Sequence, residues 1–496
     1  MDPYPNPKER GQILVILVLA LVALLAFTAL AVDVGMAYSD RRYDQNVADS
    51  AALAGAEVAA RAMIETDTPW ENFNCNLAAD VYVTSLDGWA APEWLKAINT
   101  STGKSWFESI LDAAIGRAGT NKKTIGLGFD NQNGVAFHCE SIDYVVYKEN
   151  YVDIKVMVSG ETPTSFAHFV FGGSLRNTVE AITRLTPRTP AGSGDSILAE
   201  CSKTGDGLVY DGNVTIVTIK GHQFSNCDEK NTSNATIVQA LDGVGGDCIV
   251  GGIGFYGEGD PGNENSCEAK QYNVQVPLPP VPIVTCPEAV DNPKLNKPPY
   301  ELHPGTYSDL NINLQPDETL YMYPGLYCFD SNSKGNVESF KFTGGNIQAV
   351  DFFGKPITSP NGCVDRALCG ITIWMISGNI SITGNGTSIL AAPANEPKNS
   401  ATAGAVPGLL IGAPLNYTGR LNIEGTKGDT FIGTVYIPSG MIDIGGNKDI
   451  NGDLTGPAFY TSLIADNIKF HGKAGVTVYY VEDQLYMVSA MMQMKK

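Results

Sequence analysis

Histidine is scarce in this chain. Five occur in 496 residues, far apart at His138, His168, His222, His303 and His471. That thins the supply of general bases and metal ligands. No Cys-x-x-Cys pair and no Cys/His cluster occurs, which argues against zinc. No GxSxG, HExxH, P-loop or dinucleotide fingerprint stands in its proper context. Positive charge is also short. There are 33 Lys and Arg against 53 Asp and Glu, a formal net charge of −20. Such a surface repels nucleic acid and anionic membrane surfaces, so neither is expected as a ligand. No cofactor is implied, and the chain does not read as an enzyme.

Long apolar character is present, but at one place. Ile13 to Val32 is an apolar run whose one polar member is Thr28. At about 1.5 Å per residue it reaches roughly 30 Å, one hydrocarbon thickness. A signal peptide has a shorter apolar core, although Ala29-Leu30-Ala31 offers a small-x-small cleavage pattern. Lys8 and Arg10 before the run are matched by Arg41 and Arg42 after it, so charge hardly fixes its direction.

The next stretch carries small residues at Ala48, Ala51, Ala52, Gly55, Ala56, Ala59 and Ala60. These fall on one face of a helix. Glu57 and Arg61 form an i,i+4 pair on the opposite face. No Pro interrupts residues 9–68. The pattern predicts one helix over 13–65, roughly 75 Å long, with half in a membrane and half projecting. The Ala/Gly stripe allows close helix approach. It suits either docking with sibling or pilus chains or packing on this chain's own globular part.

Ten Cys are present, an even number: Cys75, Cys139, Cys201, Cys227, Cys248, Cys267, Cys286, Cys328, Cys363 and Cys369. In an exported chain they read as disulfide candidates of undetermined connectivity. Their presence favours the bulk outside the cytoplasm and the N-terminus inside. Cys363 and Cys369 are close enough to staple a loop.

The string RGQILVILVLALVALLAFTALAVDVGMAYSDRRYDQNVADSAALAGA resembles the N-terminal region of the TadE/TadG-like family of tight-adherence (Flp) pilus-assembly proteins. The matching residues are Arg10-Gly11-Gln12, the apolar run, Asp33, Gly35, Gln45, Asp49 and Ala51 to Ala56. The resemblance covers about residues 10–60, with a weaker echo to about 187. It implies a single-pass membrane protein of pilus assembly, pilin-like in its anchor. Pilin-like members processed at the Gly carry Glu five positions later, where this chain has Ile16. The larger members' von Willebrand metal motif is missing too; Asp330-Ser331-Asn332-Ser333 lacks its spacing.

Residues 66–187 read as a small α/β module. DAAIGRAG looks like a helix end, Val152, Ile154, Val156 and Val158 alternate as a strand, and TSFAHFVF, with His168, reads as a short helix. Residues 188–196 are Pro/Gly/Ser-rich and read as a linker. From 197 to 488 short β-prone runs alternate with Gly and Asn. Pro304-Gly305-Thr306-Tyr307 recurs as Pro324-Gly325-Leu326-Tyr327, one 20-residue period later. That predicts stacked coils, a β-solenoid of the parallel β-helix type. The alternative is an antiparallel β-sandwich with Gly-rich hairpins. Residues 277–299 are too Pro-rich for a central strand and look like an extended crossing between an incomplete first group of coils and the main stack. Residues 1–12 read as a cytoplasmic tail and 489–496 as a C-terminal tail.

β-Helices can host polysaccharide chemistry, which needs carboxylate clusters. The best is Asn447 to Asp453, with Asp466 and His471 near in sequence. Asn447, Asp449, Asn451 and Gly452 imitate half a calcium loop, but its twelfth position is Ala458 rather than Glu. Asn and Asp at solenoid turns are expected for backbone reasons. The expected function is therefore structural or adhesive: an anchored solenoid on the cell surface, with membrane, pilus or sibling chains and surface glycans as partners. The alternative is a membrane-tethered β-helix that binds or cleaves carbohydrate. An aromatic-lined groove with two carboxylates within about 10 Å would favour that alternative.

Overall fold

In the computed structural model the apolar run and the Ala-rich stretch form one unbroken α-helix, Arg10–Glu65, of 56 residues and roughly 84 Å. The structure describes residues 10–66, 68, 73–143, 148–164, 174–192, 195–201, 206–212, 214–219, 221–231, 236–240, 248–251, 255–256, 270–272, 276–293, 297–331, 338–358, 369–384, 386–393, 404–425, 428–446, 457–472 and 475–495. The expected helix at 164–171 and the loop 447–453 lie largely or wholly outside them. The chain divides into two units, one drawn from Met1–Ile142, Glu149–Pro187 and Ala490–Lys496, the other from Asp143–Lys148 and Arg188–Ser489.

In the first unit, the long helix and a second helix, Trp106–Thr120, pack on a four-stranded sheet. Its strand order is Gly134–Asp143, Lys148–Thr162, Leu175–Thr186, Met491–Lys495. Ser105 and Glu108 cap the second helix reciprocally, satisfying two otherwise orphaned N–H groups. The alternation at Val152, Ile154, Val156 and Val158 holds: all four are fully buried, opposite Leu185, Thr183, Ala181 and Val179. A disulfide joins Cys75 to Cys139 on the first strand. The expected C-terminal tail is corrected here. Met491–Lys495 is a strand paired antiparallel with Ile182–Thr186.

The second unit is a parallel β-solenoid, and the antiparallel sandwich is excluded. Three strand columns stack in parallel. One runs through Gly305–Ser308, Gly325–Asp330, Ile371–Met375 and Leu409–Gly412. A second runs through Leu310–Asn313, Glu338–Thr343, Asn379–Thr383 and Arg420–Gly425. The third is a nine-stranded sheet from Tyr300–Leu302 to Thr236–Ala240. Two long strands, Thr434–Gly446 and Leu463–Gly472, bend from the first column into the second. The Pro-Gly-x-Tyr box makes the same local bond twice: Tyr307 donates to the His303 carbonyl and Tyr327 to the Tyr323 carbonyl, each at 2.6 Å. Register differs from the sequence period, because Gly305 faces Tyr327 rather than Gly325. Gly325 adopts φ +140°, so its chain enters the strand by a different path.

Coil order in space departs from order in sequence. Asp195–Ala199, Asp206–Gly212 and Thr215–Ile219 form the first coil. On one side they pair with Leu463–Ala465, Ile468–Gly472 and Gly475–Tyr479, the last coil. On the other side they pair with His222–Ser225, Asp228–Asn231 and Thr236–Ala240. The expected linker 188–196 is therefore not a linker. Thr189–Pro190 pairs with Met487–Val488, and Asp195–Ala199 is buried throughout.

The Pro-rich crossing solves the connection. Phe224, Leu198, Ile464, Tyr436, Gly412, Trp374, Cys328 and Thr306 are successive partners in one outward-facing column. Those seven steps, at ~4.8 Å each, span roughly 34 Å. Val276 to Ala289 covers a similar span, about 40 Å along a polyproline II path at ~3.1 Å per residue. Asn226 exchanges two hydrogen bonds with the Val276 backbone (2.8 and 2.9 Å), Tyr436 donates to the Pro279 carbonyl, Cys286 is disulfide-bonded to Cys328, and Ala289 bridges to Thr306. Val276, Val281 and Val284 cover the apolar column. Proline suits this strap because it runs across the strands and joins no ladder.

Leu208 is fully buried and pairs with Ile468. Leu208→Ala should cost about 2–5 kcal/mol. Deuterium uptake should rise in Leu463–Gly472 as well as in Asp206–Gly212; a rise confined to the latter would contradict the seam.

Candidate functional site

The candidate site is the long helix, in two parts. From Leu14 to Phe27 the side chains stand uncovered; Leu14 is 67% and Phe27 73% exposed. The apolar window has a mean hydropathy of 3.1 with none of it buried by the protein. Length and composition suffice to cross a bilayer. Thr28 donates to the Leu24 carbonyl at 2.8 Å, so its hydroxyl is satisfied within the helix.

Beyond the run the helix is seated by acids and then by small residues. Asp33 is buried. The Asp40 carboxylate accepts from Thr162 at 2.7 Å. Asp44, fully buried, forms an ion pair with Lys123 at 2.6 Å, off the direction of an aligned hydrogen bond. Gly160 makes room for it, since a Cβ there would lie 1.9 Å from the Asp44 carboxylate. Ala48, Ala51, Ala52, Ala56 and Ala59 are fully buried among the second helix and the sheet, with Ala60 packed at the margin. Gly55 marks the closest approach. A Cβ there would sit 2.9 Å from Ile154 Cγ2 and 3.3 Å from the Ile110 carbonyl oxygen. The expectation that this face docks with pilus or sibling chains is corrected: the chain's own module occupies it. The helical period showed that the stripe packs, but not which surface it meets. Glu57 and Arg61 form their exposed pair at 3.6 Å.

Of the cysteines, Cys75–Cys139, Cys201–Cys227 and Cys286–Cys328 are bonded, and Cys369 is disulfide-bonded. Cys267, Cys363 and the Cys248 side chain lie outside the described residues.

The structure separates the expected acidic cluster. His471 lies on the outer solenoid face, its Nδ1 2.9 Å from Asp443 and its Nε2 3.1 Å from Glu424. Arg420 reaches the other Asp443 oxygen at 3.2 Å. Gly445 leaves the gap in which His471 and Glu424 meet. Both ring nitrogens are engaged, so the group ties three coils together. Sequence reading missed Arg420, Glu424 and Asp443 because only coil register brings them together.

Asp466 is instead at the seam, beside Glu200. Glu200 is 5% exposed, and neither carboxylate oxygen has a hydrogen-bond partner. Burial, then the Asp466 charge, pushes its pKa up to about 9. Among the described residues no group of three His, Cys, Asp or Glu could hold a metal ion.

Residues 11–61 match the family described as "Putative Flp pilus-assembly TadE/G-like". No curated protein and no solved structure matches the chain.

Gly55→Val should destabilise the first unit by about 1–3 kcal/mol through overpacking, read as a lower thermal midpoint, with Gly55→Ala milder. Glu200 carries the opposite expectation. Its folded pKa lies above the unfolded value of 4.5, so its contribution is greatest below pH 4.5 and is lost as pH rises towards 9. Glu200→Gln should match the parent near pH 4 and exceed its stability by up to about 3 kcal/mol at pH 7, at about 1.4 kcal/mol per pH unit. Parallel pH profiles for the two proteins would refute this.

Proposed function

We propose that this chain is a membrane-anchored structural protein of Flp-type pilus assembly, with its solenoid on the extracytoplasmic side. The observation that carries the reading is the uncovered apolar half of a continuous helix whose residues 11–61 match the TadE/G-like family. A membrane-anchored, pilus-related protein accounts for both. The finer role rests on further support. The disulfides Cys75–Cys139, Cys201–Cys227 and Cys286–Cys328 suit an oxidising compartment. A helix that leaves the bilayer without a break and is then locked by Asp40, Asp44 and Gly55 would pass load directly into the folded module. The mechanism is anchorage and display rather than turnover. The engagement of both His471 ring nitrogens fits that reading.

Cell fractionation tests it. The full chain should resist alkaline carbonate extraction, and removal of residues 14–32 should release it. Protease added to intact, outer-layer-permeabilised cells should cut the solenoid region. Release of the full chain by carbonate, or protection of the solenoid until the inner membrane is opened, would overturn the proposal.

A further inference from the structure

Leu302, Met322 and Ala349 are partners on successive coils, all buried. The residues after them, His303, Tyr323 and Val350, therefore meet at one corner of the solenoid. The His303 and Tyr323 rings stack, with centroids 4.6 Å apart and planes at 24°. Glu301 serves both: Tyr323 donates to its Oε1 at 3.2 Å, and His303 Nε2 lies 3.8 Å from its Oε2.

On the third coil the chain leaves the corner in a tight loop. Asp351 fixes it, accepting from the backbone N–H groups of Phe353 and Lys355, each at 2.8 Å. The Asp351 backbone donates to the Lys355 carbonyl at 2.9 Å, and Gly354 turns with φ +78°. A Cβ at Gly354 would stand 3.3 Å from the Tyr323 hydroxyl, so the loop lies against that phenol. The loop holds two aromatic side chains outward: Phe352 is 65% and Phe353 78% exposed, with their rings 5.9 Å apart at 89°. These bonds hold the main chain that carries both rings.

We propose that this corner binds a neutral oligosaccharide chain. Sugar rings present C–H faces that pack on aromatic rings, and hydroxyls that both donate and accept. Phe352, Phe353 and the His303–Tyr323 stack offer the apolar surface. Glu301 and the Tyr323 hydroxyl, at its margin, offer an acceptor and a donor–acceptor. A fixed platform loses little freedom on binding. The carboxylates of Glu301 and Asp351, on a chain of net charge −20, disfavour an anionic lipid surface as the occupant. The inference does not depend on the role of the membrane anchor.

The test uses the full chain in detergent micelles, titrated calorimetrically with neutral hexasaccharides: β-1,4-linked glucose, α-1,4-linked glucose and β-1,4-linked N-acetylglucosamine. At least one should bind with a Kd below about 1 mM. Phe352→Ala combined with Phe353→Ala should weaken that binding at least tenfold, on the order of 1.4 kcal/mol. Glu301→Gln, which keeps the shape but weakens the acceptor, should weaken it several-fold. The thermal midpoint should stay unchanged in the double variant, because both rings are exposed. No binding by any of the three at about 10 mM, or equal binding by the double variant, would overturn the proposal.

Discussion

Main-chain pairing between residues remote in sequence holds the solenoid together. The Ser462 hydroxyl donates to the Asp195 carbonyl across 267 positions of chain. Around that bond, Leu463–Ala465 lies in parallel register with Ile197–Ala199, and Gly475–Tyr479 with Thr215–Ile219. A parallel coil cannot satisfy its edge N–H and C=O groups alone. The first coil has sequence neighbours on one side only; its other edge is completed by the last coil. Each group of coils thus closes the other, and loop closure over such a span is what makes parallel topologies slow to assemble.

That pairing explains the strap. To stack the last coil on the first, the chain must travel from the edge of the first group to the far end of the main stack before winding back. Residues 276–290 make that journey along the apolar column of Phe224, Ile464, Tyr436, Trp374 and Cys328. An extended, Pro-rich segment makes few ladder demands and covers the column with Val276, Val281 and Val284. Gly412 adds a local fit: a Cβ there would lie 2.8 Å from the Trp374 ring, so its absence lets the indole fill the column. The Cys286–Cys328 bond and the Val276–Asn226 pair fix the two ends.

Local patterns were legible in the sequence and remote pairings were not. The helix over Arg10–Glu65 followed from an apolar run, an Ala/Gly period and the lack of proline. Parallel coils followed from short strands bounded by Gly and Asn and from the Pro-Gly-x-Tyr box, whose buried tyrosines repeat one hydrogen bond. The crossing followed from proline's missing N–H. What failed was whatever needed a partner far along the chain. Met491–Lys495 looks like a tail until Leu175–Thr186 is placed beside it. Asp195–Ala199 sits among linker-like residues until the last coil covers it. The Ala stripe says that something packs closely, while Ile110, Ala114 and Ile154 as the occupants depend on tertiary folding. The aromatic corner is a mixed case: His303 and Tyr323 each precede a copy of the Pro-Gly-x-Tyr box, whereas Phe353 joins them only because the third coil shares their turn.

In chain order the solenoid is inserted within the first unit rather than appended to it. The chain leaves the first unit after Pro187 and returns at Ala490. The strands on either side of this excursion, Leu175–Thr186 and Met491–Lys495, are hydrogen-bonded neighbours, with Thr186 opposite Met491. Within the solenoid unit the entering and leaving chains are again paired, Thr189 with Val488 and Pro190 with Met487. Neighbouring entry and exit points are what make insertion of one domain into another tolerable. The connections after Pro187 and before Ala490 both lead into one sheet, which packs directly on the helix that carries the anchor. Asp40, Asp44 and Gly55 sit at that last junction. At that junction Gly55 and Gly160 leave the space that Ile154 and Asp44 fill, so helix and sheet meet without an intervening side chain at either glycine.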